Sequence, residues 1–101
     1  MELNVYQWDA MKTRLPTADE NYALFNLSGE VGELHSLIAK SIRDSKLDME
    51  LVKKELGDIL WCLAAVVGDC GFTLEEVARA NLTKLQKRQK NNTLQGNGDN
   101  R

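Results

Sequence analysis

Apolar residues recur every three or four positions through two long stretches of the chain, and this spacing is the strongest constraint on its fold. Such spacing places the apolar side chains on one face of an amphipathic helix. It predicts helices over residues 19–43 and 48–70, joined by a polar turn at residues 44–46. The centre of the fold is therefore expected to be a helical hairpin. The apolar positions are Leu24, Leu27, Val31, Leu34 and Ile38, then Val52, Leu56, Ile59, Leu63, Val66 and Val67.

A shorter helix is predicted ahead of the hairpin. Val5, Trp8 and Met11 lie three residues apart and suggest one apolar face for a helix over residues 3–14. Pro16 closes this segment, because a proline disfavours helical backbone in the residue before it.

A fourth helix is predicted after a break at Gly71, since glycine readily adopts the left-handed conformation that ends helices. Thr73 and Glu76 have the spacing of a capping box, which marks the start of this helix. No strand-like alternation persists, so the expected fold class is all-α, a bundle of four helices. Residues 1–90 form the helical domain, and residues 91–101 have too little apolar content to fold alone and form a tail or flap.

Composition and charge exclude some classes of function. Apolar residues make up 43% and charged residues 28%, as in folded proteins. A net charge of -2 and a pI near 5.4 argue against a nucleic-acid coat protein, which needs clustered unopposed cations. The longest apolar run, residues 59–67, is half of a membrane span, and no basic segment precedes an apolar one at the start. We expect a cytoplasmic protein that binds neither membranes nor nucleic acid polymers.

The two cysteines do not suggest a disulfide. Cys62 and Cys70 are eight residues apart on one predicted helix, which separates their Cα atoms by about 12 Å. Both are expected to be buried thiols, and a zinc site is not expected without nearby histidines.

Two pairs of acidic residues lie at the edges of the apolar faces of the hairpin. Glu30 and Glu33 are on the second predicted helix, Glu55 and Asp58 on the third, with 21 residues between the pairs. The three-residue spacing places both members of a pair on one helix face, and both pairs lie at comparable distances from the turn. The hairpin therefore predicts a site of four carboxylates. A divalent cation would make their charges tolerable, and oxygen-only ligands suit Mg²⁺ or Mn²⁺.

Two other interpretations fit these acids. A di-iron centre would need Glu-x-x-His on facing helices, whereas His35 follows Glu33 by only two residues. Alternatively, the acids form surface salt bridges with Lys40, Lys53 and Lys54. The chain would then be a noncatalytic helical interaction or regulatory module that binds no metal.

One face of the fourth predicted helix carries Asn81, Lys84 and Arg88, at spacings of three and seven residues. One amide donor and two cations suit a triphosphate tail. The alternative is that basic residues near this end of the helix only complement its dipole.

Three motifs together resemble the MazG-like nucleoside triphosphate pyrophosphohydrolases of the all-α superfamily. The resemblance covers about residues 20–90, and residues 93–101 are similar to the tails of some small members. The motifs are SGEVGEL at residues 28–34, KELGDILW at 54–61 and NLTKLQKR at 81–88.

The resemblance implies an enzyme that hydrolyses nucleoside or deoxynucleoside triphosphates to the monophosphate and pyrophosphate, with Mg²⁺ as cofactor and Mn²⁺ as a substitute. It implies that Asn81 and Lys84 contact phosphate, and Glu33 or Glu30 is expected to take the proton from the attacking water. The physiological role would be nucleotide pool control or housecleaning. A phosphoribosyl-ATP-type substrate is the alternative within the superfamily. The matching metal positions are Glu30, Glu33, Glu55 and Asp58.

The small size of the domain favours self-association. A chain of 101 residues buries only about 65% of its unfolded surface. Its amphipathic helices would expose apolar faces if left alone. We therefore expect a homo-oligomer, either a dimer or a dimer of dimers.

Overall fold

A computed structural model describes residues 1–99 of the chain. These residues form four α-helices and no strand: α1 (Leu3–Met11), α2 (Glu20–Asp44), α3 (Met49–Asp69) and α4 (Leu74–Lys90). The expected all-α class with four helices is confirmed. The long helices α2 and α3 begin and end within one residue of their predicted bounds.

Side-chain caps determine where the helices begin. Asp19 and Asp48 each accept hydrogen bonds from backbone N–H groups in the first turn of α2 and α3. At α4, Thr73 and Glu76 form the predicted capping box. Gly71 has a φ of 84°, the left-handed conformation expected where the chain leaves α3.

The core of the fold is the antiparallel hairpin of α2 and α3, which pack against each other more extensively than any other pair of helices. The residues buried along this hairpin are mostly small, and two of them, Ala64 and Val67, form a cluster with Leu74 at the start of α4. The buried residues of the hairpin are Ala23 on α2, and Cys62, Ala64, Ala65 and Val67 on α3.

Helix α1 differs from its prediction. It ends at Met11 rather than extending through residues 3–14, and both Val5 and Trp8 are exposed. The apolar face expected on this helix is therefore wrong for Val5 and Trp8 and correct for Met11, which packs against the core cluster of Ala64, Val67 and Leu74. The buried residues of α1 are Gln7 and Ala10.

A buried amide fixes α1 to the rest of the fold. The Gln7 side chain donates hydrogen bonds to the carbonyl oxygens of Ala64 (3.2 Å) and Phe72 (3.3 Å). Its own oxygen accepts from the backbone N–H of Leu74 at 2.9 Å. Gln7 thereby joins α1 to the end of α3 and to the first residue of α4.

Helix α4 diverges from the hairpin. It bends by 96° from α3, and within residues 1–99 no Cα atom of α4 lies within 8 Å of one in α2. The radius of gyration is 16.5 Å, against about 13 Å for a compact domain of this length. No single described helix is long and apolar enough to cross a membrane, although α3 and α4 taken together as a bent pair have the required length and composition.

The two cysteines lie in different environments. Both are free thiols, with Cys62 buried in the hairpin and Cys70 exposed at the end of α3. The prediction of two buried thiols is correct for Cys62 and wrong for Cys70, because the chain turns away from the core at that point.

Candidate active site

Three of the four predicted acids converge at the centre of the hairpin. Glu30 on α2 and Glu55 and Asp58 on α3 each offer one carboxylate oxygen, and these oxygens lie within 4.8 Å of one another. The antiparallel packing of α2 on α3 brings them together. Glu33 lies one turn further along α2, is exposed, and does not belong to this three-oxygen group.

The geometry of these carboxylates fits a hard divalent cation. Oxygens bound to one Mg²⁺ at about 2.1 Å are at most about 4.2 Å apart. The three carboxylate oxygens lie within 4.8 Å of one another, so each needs to move by less than about 1 Å to bind one ion. All the donors are carboxylate oxygens, the ligand type that Mg²⁺ and Mn²⁺ prefer. The cluster could hold a metal ion.

The acids of this cluster repel one another because they carry like charges at short distance. Burial raises the pKa of the Glu30 carboxyl, and the charges of Asp58, Glu55 and Glu33 raise it further. None of the ion pairs within residues 1–99 includes any of these four acids.

The predicted surface salt bridges are not present in the described residues. Lys53 instead pairs with Glu50 at 3.1 Å, and neither Lys40 nor Lys54 has an ion pair within residues 1–99. His35 is exposed and lies outside the carboxylate group, so the geometry does not suggest a di-iron centre.

Asn26 is a site residue that sequence reasoning missed. Its amide nitrogen donates to Glu30 Oε1 at 3.4 Å and to Cys62 Sγ at 3.5 Å. Burial raises the pKa of the Cys62 thiol, which therefore stays protonated and neutral at pH 7. A lone asparagine within a helix gives no local signal, because its role depends on α3 lying opposite.

A cavity of about 500 Å³ opens beside the carboxylates. Trp61 forms part of its wall and is held in place, since the indole N–H donates to Thr13 Oγ1 (2.9 Å) and to the Ala10 carbonyl (3.2 Å). The cavity combines aromatic, hydroxyl and amide groups with two of the acids. Its lining residues are Thr13, Leu15, Thr17, Ala18, Tyr22, Asn26, Glu30, Asp58, Trp61 and Cys62.

The predicted phosphate-binding residues lie elsewhere in the chain. Asn81 and Lys84 line a separate hollow of about 510 Å³ on α4. Arg88 is buried under the C-terminal segment, which folds back on this helix. Residues 1–99 do not bring the carboxylates into one cavity with Asn81, Lys84 and Arg88 of α4.

The fold and site define an all-α protein whose central hairpin presents clustered carboxylates beside a ligand-sized cavity. The chain belongs to the MazG nucleotide pyrophosphohydrolase family, because the model of the MazG nucleotide pyrophosphohydrolase domain matches residues 19–93. The resemblance inferred from the three motifs is confirmed. The chain is also similar to the Gene 37 protein of Mycobacterium phage L5, with 32% identity over 114 aligned positions that cover both chains completely. No solved structure matches.

Proposed function

We propose that this protein hydrolyses nucleoside or deoxynucleoside triphosphates to the monophosphate and pyrophosphate, with Mg²⁺ as cofactor and Mn²⁺ as a substitute. One observation carries the proposal: three carboxylate oxygens lie within 4.8 Å of one another beside a cavity of about 500 Å³. Membership of the MazG family supplies the reaction class.

The carboxylates divide into two roles in this proposal. Glu30, Glu55 and Asp58 hold the metal ion, which when bound neutralises phosphate charge and favours ionisation of water. Glu33 is exposed and outside the three-oxygen group, so its carboxylate is free to take the proton from the attacking water. Glu30 is the other candidate for the base.

The cavity beside the acids is proposed to receive the nucleoside. The rings of Tyr22 and Trp61 offer surfaces for a base, and the hydroxyl of Thr17 offers hydrogen bonds to base or sugar. The triphosphate would then extend toward the carboxylates.

The polyphosphate is proposed to contact Asn81, Lys84 and Arg88. We further propose that the protein is a homo-oligomer, either a dimer or a dimer of dimers. The accessible surface of the chain is 7795 Å², against about 5,800 Å² for a compact monomer of its mass. Phe25 on α2 is 73% exposed and Leu56 on α3 is 50% exposed. In an oligomer, α4 of a neighbouring copy can approach acids that α4 of the same protomer does not reach.

Light scattering tests the assembly. We expect a mass of at least two chains at micromolar concentration, because the exposed apolar residues favour association. A monomer at that concentration contradicts the proposed assembly.

Pyrophosphate release from a panel of NTPs, dNTPs and phosphoribosyl-ATP tests the activity. We expect turnover that requires Mg²⁺ or Mn²⁺ and that is abolished by Glu55→Gln, with helicity unchanged in circular dichroism. Glu50→Gln is the matched control, since Glu50 is an exposed acid on the same helix. No release from any member of the panel contradicts the proposal, and release only from phosphoribosyl-ATP assigns the alternative substrate.

A thermal melt separates the proposed enzyme from a noncatalytic helical module. Mg²⁺ together with a nonhydrolysable nucleotide is expected to raise the midpoint, because ligands that bind only the folded state stabilise it. An unchanged midpoint favours the noncatalytic module. We further propose that the protein is cytoplasmic and acts in nucleotide pool control or housecleaning. It would act on a small nucleotide and would have no membrane or nucleic-acid partner.

A further inference from the structure

The chain reverses direction directly after α4. Asn92 has a φ of 55°, in the left-handed region, and the backbone N–H of Thr93 donates to the Arg88 carbonyl at 2.7 Å. These features turn the following residues back along α4. Gly98, with a φ of 82°, then brings Asp99 to the cationic face of the helix.

A single carboxylate oxygen of Asp99 contacts both cations of this face. Asp99 Oδ1 accepts from Lys84 Nζ at 3.1 Å and from Arg88 Nη2 at 3.2 Å. The same Arg88 nitrogen lies 3.4 Å from the Asp99 carbonyl oxygen and 3.5 Å from that of Gly98. The C-terminal segment thus occupies two of the residues proposed to bind polyphosphate.

Arg88 has more hydrogen-bonding capacity than residues 1–99 use. Its side chain is only 7% exposed, and its Nε atom is buried without a partner among the described residues. A guanidinium carries five N–H donors in a planar fork that matches anions with several oxygens. Among the described residues, the guanidinium of Arg88 is therefore only partly satisfied by the carboxylate of Asp99.

The Asp99 contact is strong enough to form but weak enough to be exchanged. Lys84 and Arg88 hold the pKa of the Asp99 carboxyl below its usual range, so the carboxylate is charged at neutral pH. Asp99 itself is 82% exposed, and ion pairs with an exposed partner are weak. A phosphate group brings more charge and more acceptor oxygens than a carboxylate.

We propose that Asp99 is an internal competitor for polyphosphate: its carboxylate occupies Lys84 and Arg88 in the free protein and is displaced by the phosphates of the ligand. That this ligand is a nucleotide rests on the function proposed above. The competition itself requires only an anion with several phosphate oxygens. Removing the Asp99 charge should therefore strengthen binding of such anions.

Calorimetric titration of the full chain with inorganic pyrophosphate, in EDTA, tests the competition directly. Asp99→Asn is expected to lower the dissociation constant about two- to fivefold relative to wild type, the range set by the strength of exposed ion pairs. Asp44→Asn is the matched control, because Asp44 is also an exposed aspartate paired with an arginine and the charge change is the same. Equal effects of the two substitutions, or weaker binding by Asp99→Asn, overturn the proposal.

The double variant Asp99→Asn, Lys84→Met gives an independent readout. In the Lys84→Met background, the gain in pyrophosphate affinity from Asp99→Asn should shrink, because one of the two cations that Asp99 contacts is gone. A gain of the same size in both backgrounds overturns the proposal. Since no measurement here needs metal or turnover, absence of hydrolase activity would reject the proposed function and leave this inference standing.

Discussion

At the residue scale, the site depends on polar side chains that act between helices. Asn26 is the clearest example, because its amide nitrogen contacts a proposed metal ligand, Glu30, and the thiol of Cys62 on the opposite helix. Both contacts restrain the position of the Glu30 carboxylate. Asn26 is thus a positioning residue in this account.

Replacing Asn26 by Ala is expected to weaken Mn²⁺ binding about two- to tenfold, the range set by loss of one ordinary hydrogen bond. The carboxylate of Glu30 would then lose a restraint on its orientation. Titration with Mn²⁺ measures the effect, with Asn21→Ala on the same helix as the control. Equal affinities of the two variants would show that Asn26 does not position the ligand.

Gln7 is the residue on which docking of α1 most depends. Gln7→Ala removes three hydrogen bonds and leaves the buried Leu74 N–H without its partner. We expect a loss of about 2 to 4 kcal/mol in the free energy of unfolding, measured with denaturant. Gln86→Ala, an exposed glutamine on α4, should change stability by less than about 0.5 kcal/mol. Similar values for both variants contradict this role of Gln7.

At the element scale, prediction from sequence succeeds where the signals are local. The bounds of α2 and α3 follow from apolar spacing and from the caps Asp19 and Asp48, which act within one helical turn. The face of α1 could not be predicted in this way. Its orientation is set by backbone groups of α3 and α4 that Gln7 reaches across 57 to 67 residues of sequence.

The connection between α1 and α2 is held by another long-range contact. Arg14 forms two hydrogen bonds with the Asp69 carboxylate, at 2.8 and 2.9 Å, and donates from Nε to the Ala18 carbonyl. Residues of this connection, including Thr13 and Thr17, line the cavity beside the acids. The ion pair therefore stabilises one wall of the candidate site.

The stabilisation from this ion pair should depend on pH. Arg14 lowers the pKa of Asp69 from its usual 3.8, so the stabilisation is present above that value and is lost as pH falls through the lower folded-state pKa. Asp69→Asn is expected to cost about 1 to 3 kcal/mol at pH 7. That difference from wild type should shrink in denaturant unfolding as pH falls below about 4. A difference in unfolding free energy that does not change with pH contradicts the stabilising role of the Arg14–Asp69 pair. Asp9→Asn serves as the control, because Asp9 belongs to an exposed ion pair.

At the scale of the whole molecule, the hairpin acids and the polar face of α4 (Asn81, Lys84 and Arg88) occupy separate regions of the chain. The convergence of Glu30, Glu55 and Asp58 could be predicted, because two antiparallel helices with a short turn impose it. The position of α4 could not be predicted, since it depends on the 96° bend after α3. The contact between the C-terminal segment and Arg88 could not be predicted either, because that segment has no periodic pattern of apolar residues.

The open shape of the chain has a physical consequence for its stability. Its fully buried residues are mainly alanines, while large apolar side chains on α2 and α3 stay half-exposed. Large apolar side chains contribute most to folding when they are fully buried. The proposed association would bury these side chains, so the free energy of unfolding should rise with protein concentration.

Direct titration of Mn²⁺ into the wild-type protein, Glu55→Gln and Glu50→Gln tests the central claim that the hairpin acids form one metal site. We expect saturable binding by the wild-type protein and at least about tenfold weaker binding by Glu55→Gln, because one charged oxygen ligand is lost. Glu50→Gln should bind as the wild type does, since Glu50 pairs with Lys53 and does not belong to the cluster. Equal affinities of Glu55→Gln and wild type would contradict this claim.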